Sequence, residues 1–217
     1  MYNVVAIDGP SGSGKGTVAR IIANKLGYVY VDTGAMYRCV TLAMLNCGLN
    51  VSDEEKIIEL ANNINIELLS DGRVLLDGKD VSKDIRSLKV NDNVFLVSRI
   101  IKVREHLVDL QKELSLKNNL VMEGRDITTV VFPNAKYKFY LDATLEERAK
   151  RRYKENIEKG IECTYGEVLE HFKERDYKDS HKSFGALTRT DEQIYIDSTN
   201  MSIDEVVEKM LSYIKEK

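Results

Sequence analysis

Gly9-Pro10-Ser11-Gly12-Ser13-Gly14-Lys15-Gly16-Thr17 is the stretch that decides how this chain folds. It follows Tyr2-Asn3-Val4-Val5-Ala6-Ile7-Asp8, an apolar run with strand character, and precedes the amphipathic segment Val18 to Leu26. Strand, glycine-rich loop, lysine and helix, in that order, make a phosphate cradle. The glycines let backbone N–H groups turn inward on a phosphate, and the helix points its positive dipole end at the same anion. Lys15 then reaches the outer phosphates. Alone, Gly-Pro-Ser-Gly is an ordinary turn; the flanking elements and the lysine set it apart. One position departs from the common G-x-x-x-x-G-K-[ST] pattern: Gly16 follows the lysine, and the hydroxyl comes one residue later, at Thr17. Switch GTPases hold Mg²⁺ with that hydroxyl. Here Mg²⁺ is expected on the phosphates and water, or on Thr17.

Outward from this loop, strand-like and helix-like segments alternate, which predicts an α/β fold with a parallel sheet covered by helices. Strands are expected near 3–8, 28–31, 119–123, 137–142 and 193–197. Helices are expected near 15–26, 35–47, 53–62, 87–116, 144–158, 164–179 and 202–215, with Asp53 and Ser202 at N-cap positions. Ile64 to Val81 breaks the alternation. Its short apolar runs are separated by Ser70-Asp71-Gly72 and Asp77-Gly78, both hairpin signals, so a three-stranded antiparallel meander is expected there. It lies where a second substrate needs a wall.

Three further motifs carry charge. Asp32-Thr33-Gly34-Ala35-Met36-Tyr37-Arg38 follows the second strand; Thr33 is positioned to cap the next helix and hold a second phosphate, with Arg38 gripping it. Glu123-Gly124-Arg125-Asp126 ends the strand Leu120-Val121-Met122, and ligands of open parallel sheets bind beyond such carboxyl ends. Arg125 there suits phosphate, and Asp126 a base or sugar. Arg148, Arg151 and Arg152 recur in one helix, and Arg175, Lys178 and Lys182 in the next, with Gly160 in the connection between them. Two basic helices on a flexible turn suit a lid that excludes water. Arg104 reads from its surroundings as a solvated helix face. No Ser–His–Asp arrangement is visible, but phosphoryl transfer needs none; it needs positioning and cations.

Composition narrows the class. The 217 residues suffice for one domain with a small insertion, and 43% hydrophobic with 31% charged residues describes a globular chain. A net charge of −3 argues against a dedicated nucleic-acid binder. No run approaches the roughly 18 apolar residues of a membrane span, and the first strand starts too early to leave room for a signal peptide. Cys39, Cys47 and Cys163 lack metal-ligand spacing and read as reduced cytosolic thiols.

In this order and over nearly the whole chain, GPSGSGKGT, DTGAMYR, EGRD followed by Ile127 to Pro133, ERDYKDS and YIDST (Tyr195 to Thr199) resemble the bacterial cytidylate kinases. Adenylate kinase shares the first loop and a similar second motif, but not the third and fourth in this form. The resemblance implies a three-layer P-loop NTPase fold: a five-stranded parallel sheet flanked by helices, a small antiparallel β insert and a helical lid. It implies one domain over 1–217, with a core at about 1–32, 84–147 and 190–217. A monophosphate-binding region falls at about 33–83, with its insert at 64–81, and a lid at about 148–182. The implied reaction moves the γ-phosphoryl group of ATP, with Mg²⁺, onto CMP or dCMP, in a cytoplasmic monomer with no nucleic-acid or membrane partner.

By matching motif, Gly9, Pro10, Ser11, Gly12, Ser13, Gly14, Lys15, Gly16 and Thr17 hold ATP, approached by Arg148 and Arg152. Thr33, Arg38 and Arg125 contact the CMP phosphate. Arg104 and Asp126 read cytosine. Arg175 and Asp179 touch sugar and phosphates, and Lys182 adds a further cation. Lys15, Arg125, Arg175 and Asp126 are the implied catalytic group. The chain departs from the family at three places. Lys182 replaces an arginine and loses its fork, Phe95 aligns with a small hydroxyl residue that helps read cytosine, and Ile101 aligns with a proline. The alternatives are a kinase of another small acceptor such as UMP, AMP or shikimate, and a nucleotide-sensing regulatory module. The latter is disfavoured by the lack of an Asn-Lys-x-Asp motif and of a second-strand Asp-x-x-Gly.

Overall fold

The computed structural model describes residues 3–215, and for Lys215 the backbone only. Met1, Glu216, Lys217 and Tyr2, the first residue of the opening apolar run, lie outside them. Five strands, β1 (Val4–Asp8), β2 (Val29–Asp32), β6 (Leu120–Gly124), β7 (Tyr137–Asp142) and β8 (Ile194–Asp197), form one sheet in the order β2-β6-β1-β7-β8. Every pairing is parallel, with Val4 opposite Leu120 and Val5 opposite Tyr137 fixing the register around β1. All five residues of β1 are buried, as a central strand covered on both faces requires. Val5 and Ile7 face a cluster with Val18 and Ile22 of α1 (Lys15–Leu26) and Met210 of α8 (Ile203–Lys215). Val4 and Ala6 face the opposite cluster, with Val31, Met122 and Ile127.

The chain leaves β1 toward β2 and β6 on one side and crosses to β7 and β8 on the other. The crevice at such a switch point, beyond the carboxyl ends of the strands, is where open α/β sheets bind ligands. The glycine-rich loop leaves β1 there.

The expected meander is present as β3 (Ile66–Leu68), β4 (Val74–Leu76) and β5 (Lys79–Asp80), antiparallel in sequence order. Asp77 and Gly78 both take positive φ, 50° and 77°, which is the two-residue hairpin geometry their residue types favour. The insert packs Val74, Leu76 and Val81 on Ala35, Cys39 and Leu42 of α2 (Thr33–Asn46). α2 also meets Ile57 and Ala61 of α3 (Glu54–Asn63).

One local expectation needs correction. The single helix expected over 87–116 is two, α4 (Leu88–Val97) and α5 (Ile101–Leu114). Ile100 is extended (φ −70°, ψ 109°) and buried among Val97, Val103 and Leu107, so tertiary burial overrides a continuous amphipathic pattern. Asp53 stands at the N-cap of α3, but its carboxylate accepts from Asn50 N–H rather than from the helix. Ser202 does cap α8, accepting from Glu205 N–H while Glu205 accepts from Ser202. Among the described residues no helix is long and apolar enough to cross a membrane.

Candidate active site

The loop between β1 and α1 is shaped by what lies against it. A Cβ on Gly9 (φ +153°) would fall 2.0 Å from the Leu141 carbonyl oxygen, and one on Gly12 (φ +78°) 2.9 Å from the Phe172 ring. Phe172 belongs to α7 (Tyr165–Ser180), so the loop is seated against that helix as well as against β7. Lys15 starts α1, is 4% exposed and donates from Nζ to Pro10 O at 2.8 Å, curling back across the loop. Burial first, and the neighbouring Arg125 and Arg175 next, bring its ammonium down to about 7.

Gly16, the departure from the common loop pattern, now has a physical reason. A Cβ there would lie 3.3 Å from both Glu123 Oε1 and the Tyr30 hydroxyl. A side chain there would crowd both groups. Burial of Glu123 and the charge of Asp32 push its carboxyl above the usual carboxylate range. Thr17 is exposed. Among the described residues, no group of three or more His, Cys, Asp or Glu side chains is placed to hold a metal ion.

The start of α2 is capped by Asp32, which accepts from Ala35 N–H at 2.9 Å; the expectation that Thr33 caps it is corrected. Thr33 instead donates its hydroxyl to Glu123 O at 2.8 Å, joining the helix to the end of β6. Arg38 gives Nη2 to Asp32 Oδ2 at 2.9 Å, while its buried Nε has no hydrogen-bond partner. An orphaned buried N–H of a guanidinium is costly and suits an incoming anion.

Beyond β6, Arg125 donates Nε to Asp179 Oδ2 at 2.8 Å. Burial alone would raise the Asp179 carboxyl, but Arg125, Lys182 and Arg175 outweigh it and hold it below the usual range. Arg104, expected on a solvated face, is 2% exposed. It forms a close ion pair with Asp126 and donates Nη1 to Ser98 O at 3.2 Å, capturing a carbonyl freed where α4 ends. Its guanidinium carbon lies 5.2 Å from the Tyr37 ring centre and 5.7 Å from that of Phe184. A Cβ on Gly185 would sit 2.2 Å from Arg104 Nη2 and 2.4 Å from Asp126 Oδ2, so the backbone after α7 covers this pair. The burial of Arg104 thus depends on the nearby break after α4 and on Tyr37, Asp126 and the Phe184–Gly185 segment, which are remote in sequence.

Arg175 makes no ion pair or side-chain hydrogen bond among the described residues. Burial, then repulsion from Arg125, Arg38 and Arg152, lowers it to about 10. Arg148 spends its guanidinium internally, on Ala143 O, Ser11 O and Asp176, and so ties α6 (Leu145–Glu158) to both the loop and α7. Arg152 is half-exposed and pairs with Glu155 at 3.1 Å. Lys182 is almost fully buried on Asp179 Oδ1 at 3.0 Å.

Sequence reasoning passed over Asp8. It is fully buried at the end of β1 and accepts from Ile127 N–H, Thr128 N–H and the Thr128 hydroxyl at 2.8, 2.8 and 2.6 Å. Burial, the largest influence, raises its carboxyl to about 6 against those hydrogen bonds. Asp8 pins the π-type turn Ile127–Val131 and hence the Arg125–Asp126 corner before it. A carboxylate closing an apolar strand was the available signal.

The arrangement concentrates Lys15, Arg38, Arg125 and Arg175 beside the glycine-rich loop, with Asp32 on Arg38 and Asp179 on Arg125. Such a centre is suited to anionic phosphate groups and to stabilising negative charge that develops on them.

Known proteins place this geometry. The sequence model of the family described as cytidylate kinase matches residues 5–216. The protein named cytidylate kinase in Fusobacterium nucleatum is 48% identical over 94% of this chain and 93% of its own length. That of Caldanaerobacter subterraneus subsp. tengcongensis is 49% identical over 97% and 94%. A solved structure of an uncharacterized protein from Eubacterium ventriosum aligns over 99% of both chains with a TM-score of 0.53 at 14% identity, a likeness of fold alone.

Proposed function

The chain belongs to the cytidylate kinase family, and from that premise we propose that it transfers the γ-phosphoryl group of ATP to CMP or dCMP. The observation that carries the reading is the group of mutually repelling cations, Lys15, Arg38, Arg125 and Arg175, gathered at the switch point of the sheet. Among the described residues Arg175 has no ion pair and Arg38 keeps a buried Nε–H without a partner, so the group has positive charge and donors left for an anion.

On this reading Gly9 to Thr17 cradle the ATP phosphates through backbone N–H groups, with Lys15 on the outer ones. The N-terminus of α2, Arg38 and Arg125 hold the acceptor phosphate. An oxygen of that phosphate attacks the γ-phosphorus as the bond to the ADP oxygen breaks, and no protein nucleophile takes part. Arg125 and Arg175 stand where charge develops. Arg104 and Asp126 turn from each other to cytosine, and Asp179 to the sugar. Mg²⁺ carried in on ATP would neutralise phosphate charge. It would be held by phosphates and water, or by Thr17, since Gly16 offers no hydroxyl. Arg148 acts on ATP through the loop carbonyl of Ser11 that it holds, and Lys182 through Asp179.

The lid of this reading is about 148–182, and the monophosphate region about 33–83 with its insert at 64–81. The protein is taken to act as a cytoplasmic monomer in pyrimidine nucleotide metabolism, which size-exclusion chromatography checks for the monomer. The function itself is tested by following ADP release from ATP–Mg²⁺ with and without CMP. Release that depends on CMP and yields CDP is expected. Equal release without CMP would make the chain a nucleotide hydrolase or sensor instead.

A further inference from the structure

The helix α7 lies across the carboxyl end of the sheet and is fastened at separate points along its length. Its first half rests Phe172 on Gly12 of the phosphate loop, and Asp176 holds Arg148. Its last turn gives Asp179 to Arg125. A remaining contact reaches the other wall of the site. The ring of Phe95, in α4, has the ammonium of Lys182 at 5.4 Å and that of Lys178 at 6.0 Å from its centre, with the Arg99 guanidinium at 5.7 Å.

Cations from α7, from the turn after it and from the turn after α4 converge on this one ring. The two ammoniums are kept from repelling apart by their own carboxylates, Glu174 for Lys178 at 3.3 Å and Asp179 for Lys182 at 3.0 Å. The face of an aromatic ring is a weak acceptor of positive charge, and the attraction strengthens as water is excluded. Lys182 has a side chain only 7% exposed. With its carboxylate and its ring, this ammonium is satisfied from within the protein.

We propose that Phe95 is a positioning residue that seats the end of α7 against α4, acting through Lys182 on Asp179 and through Asp179 on Arg125. A serine or leucine at this position has no quadrupole to offer. The lysines would then be held by their carboxylates alone, and the last turn of α7 would lose its attachment to α4. Phe95 on this account sets how firmly the acceptor-side cations are held, and does not itself choose the base. The kinetic consequence rests on the CMP kinase reading; the structural consequence does not.

The test compares Phe95→Leu, Phe95→Tyr and the double variant Lys178→Gln/Lys182→Gln with the unaltered protein. Amide hydrogen exchange over residues 172–180, without nucleotide, reads the seating directly. Faster exchange is expected in Phe95→Leu and in the lysine variant, and near-unaltered exchange in Phe95→Tyr, which keeps the ring. With ATP–Mg²⁺, the KM for CMP should rise roughly threefold to tenfold in Phe95→Leu, with kcat less affected and the ratio of CMP to UMP specificity unchanged. Unchanged exchange and unchanged KM in Phe95→Leu would overturn the proposal. So would a changed CMP to UMP ratio with α7 exchange unaltered, which would make Phe95 a wall of the base site. If the unaltered protein fails to phosphorylate CMP, the proposed function falls, while the exchange measurement still decides the seating.

Discussion

Lys15 shows how one residue carries both the function and a cost to the fold. Its ammonium is brought to about 7 from 10.5 by burial and by neighbouring arginines. The unfolded chain keeps this proton up to about 10.5, and the folded chain releases it above about 7. The penalty is therefore full below pH 7 and fades as pH rises toward 10.5, so this group makes stability increase across that window. Lys15→Met should raise unfolding free energy at pH 7 and flatten its pH dependence between 7 and 10. Urea unfolding at several pH values measures this, and a variant less stable at pH 7 would contradict it. In catalysis the direction reverses. Lys15→Ala should lower kcat by about 10²–10³, the size of a lost transition-state donor, and a barely altered kcat would remove Lys15 from the mechanism. The place of Lys15 at the junction of loop and helix was legible in the sequence because loop, lysine and helix are contiguous. Arg104 was not, because its burial is made by the break at Ser98–Ile100 and by the Phe184–Gly185 segment, both fixed only by tertiary packing.

At the scale of elements, the site depends on how ends of strands are tied to turns. Asp8 at the end of β1 satisfies three donors of the turn that follows Asp126. Asp8→Ala leaves those donors buried and unpaired, at roughly 1–3 kcal/mol each before relaxation. A loss on the order of 3 kcal/mol in urea unfolding is expected, together with a lower kcat/KM for CMP as the Arg125–Asp126 corner moves. Unaltered stability would mean that water replaces the carboxylate. The phosphate loop depends in turn on α7. Gly12→Ala adds a Cβ 2.9 Å from the Phe172 ring at a backbone angle that disfavours any side chain. It should destabilise by about 1–3 kcal/mol and raise the KM for ATP more than that for CMP; equal effects on both would detach the loop from the ATP side. Element types were readable from periodicity and turn residues, the β3–β5 meander most plainly. Where an element stops or caps was less so. The pattern over 87–116 is continuous, and adjacent Asp32 and Thr33 are both good caps, so Glu123 O, 90 residues away, decides between them.

Over the whole molecule, the order β2-β6-β1-β7-β8 places the carboxyl ends of β1 and β6 side by side. Motifs more than a hundred residues apart thereby become one cationic centre. α7, in contact with Gly12, Arg125 and Phe95, reaches from the phosphate loop to α4. The acceptor's identity is the claim on which the rest turns. It rests on membership of the cytidylate kinase family, with the buried Arg104–Asp126 pair proposed as the group that reads the base. The direct measurement is kcat/KM for CMP, dCMP, UMP, AMP and GMP with the same ATP–Mg²⁺. The account expects CMP and dCMP to exceed AMP and GMP by at least about 10², since a site built to hydrogen-bond one base is left unpaired by another. Equal values for CMP, dCMP, AMP and GMP would contradict it.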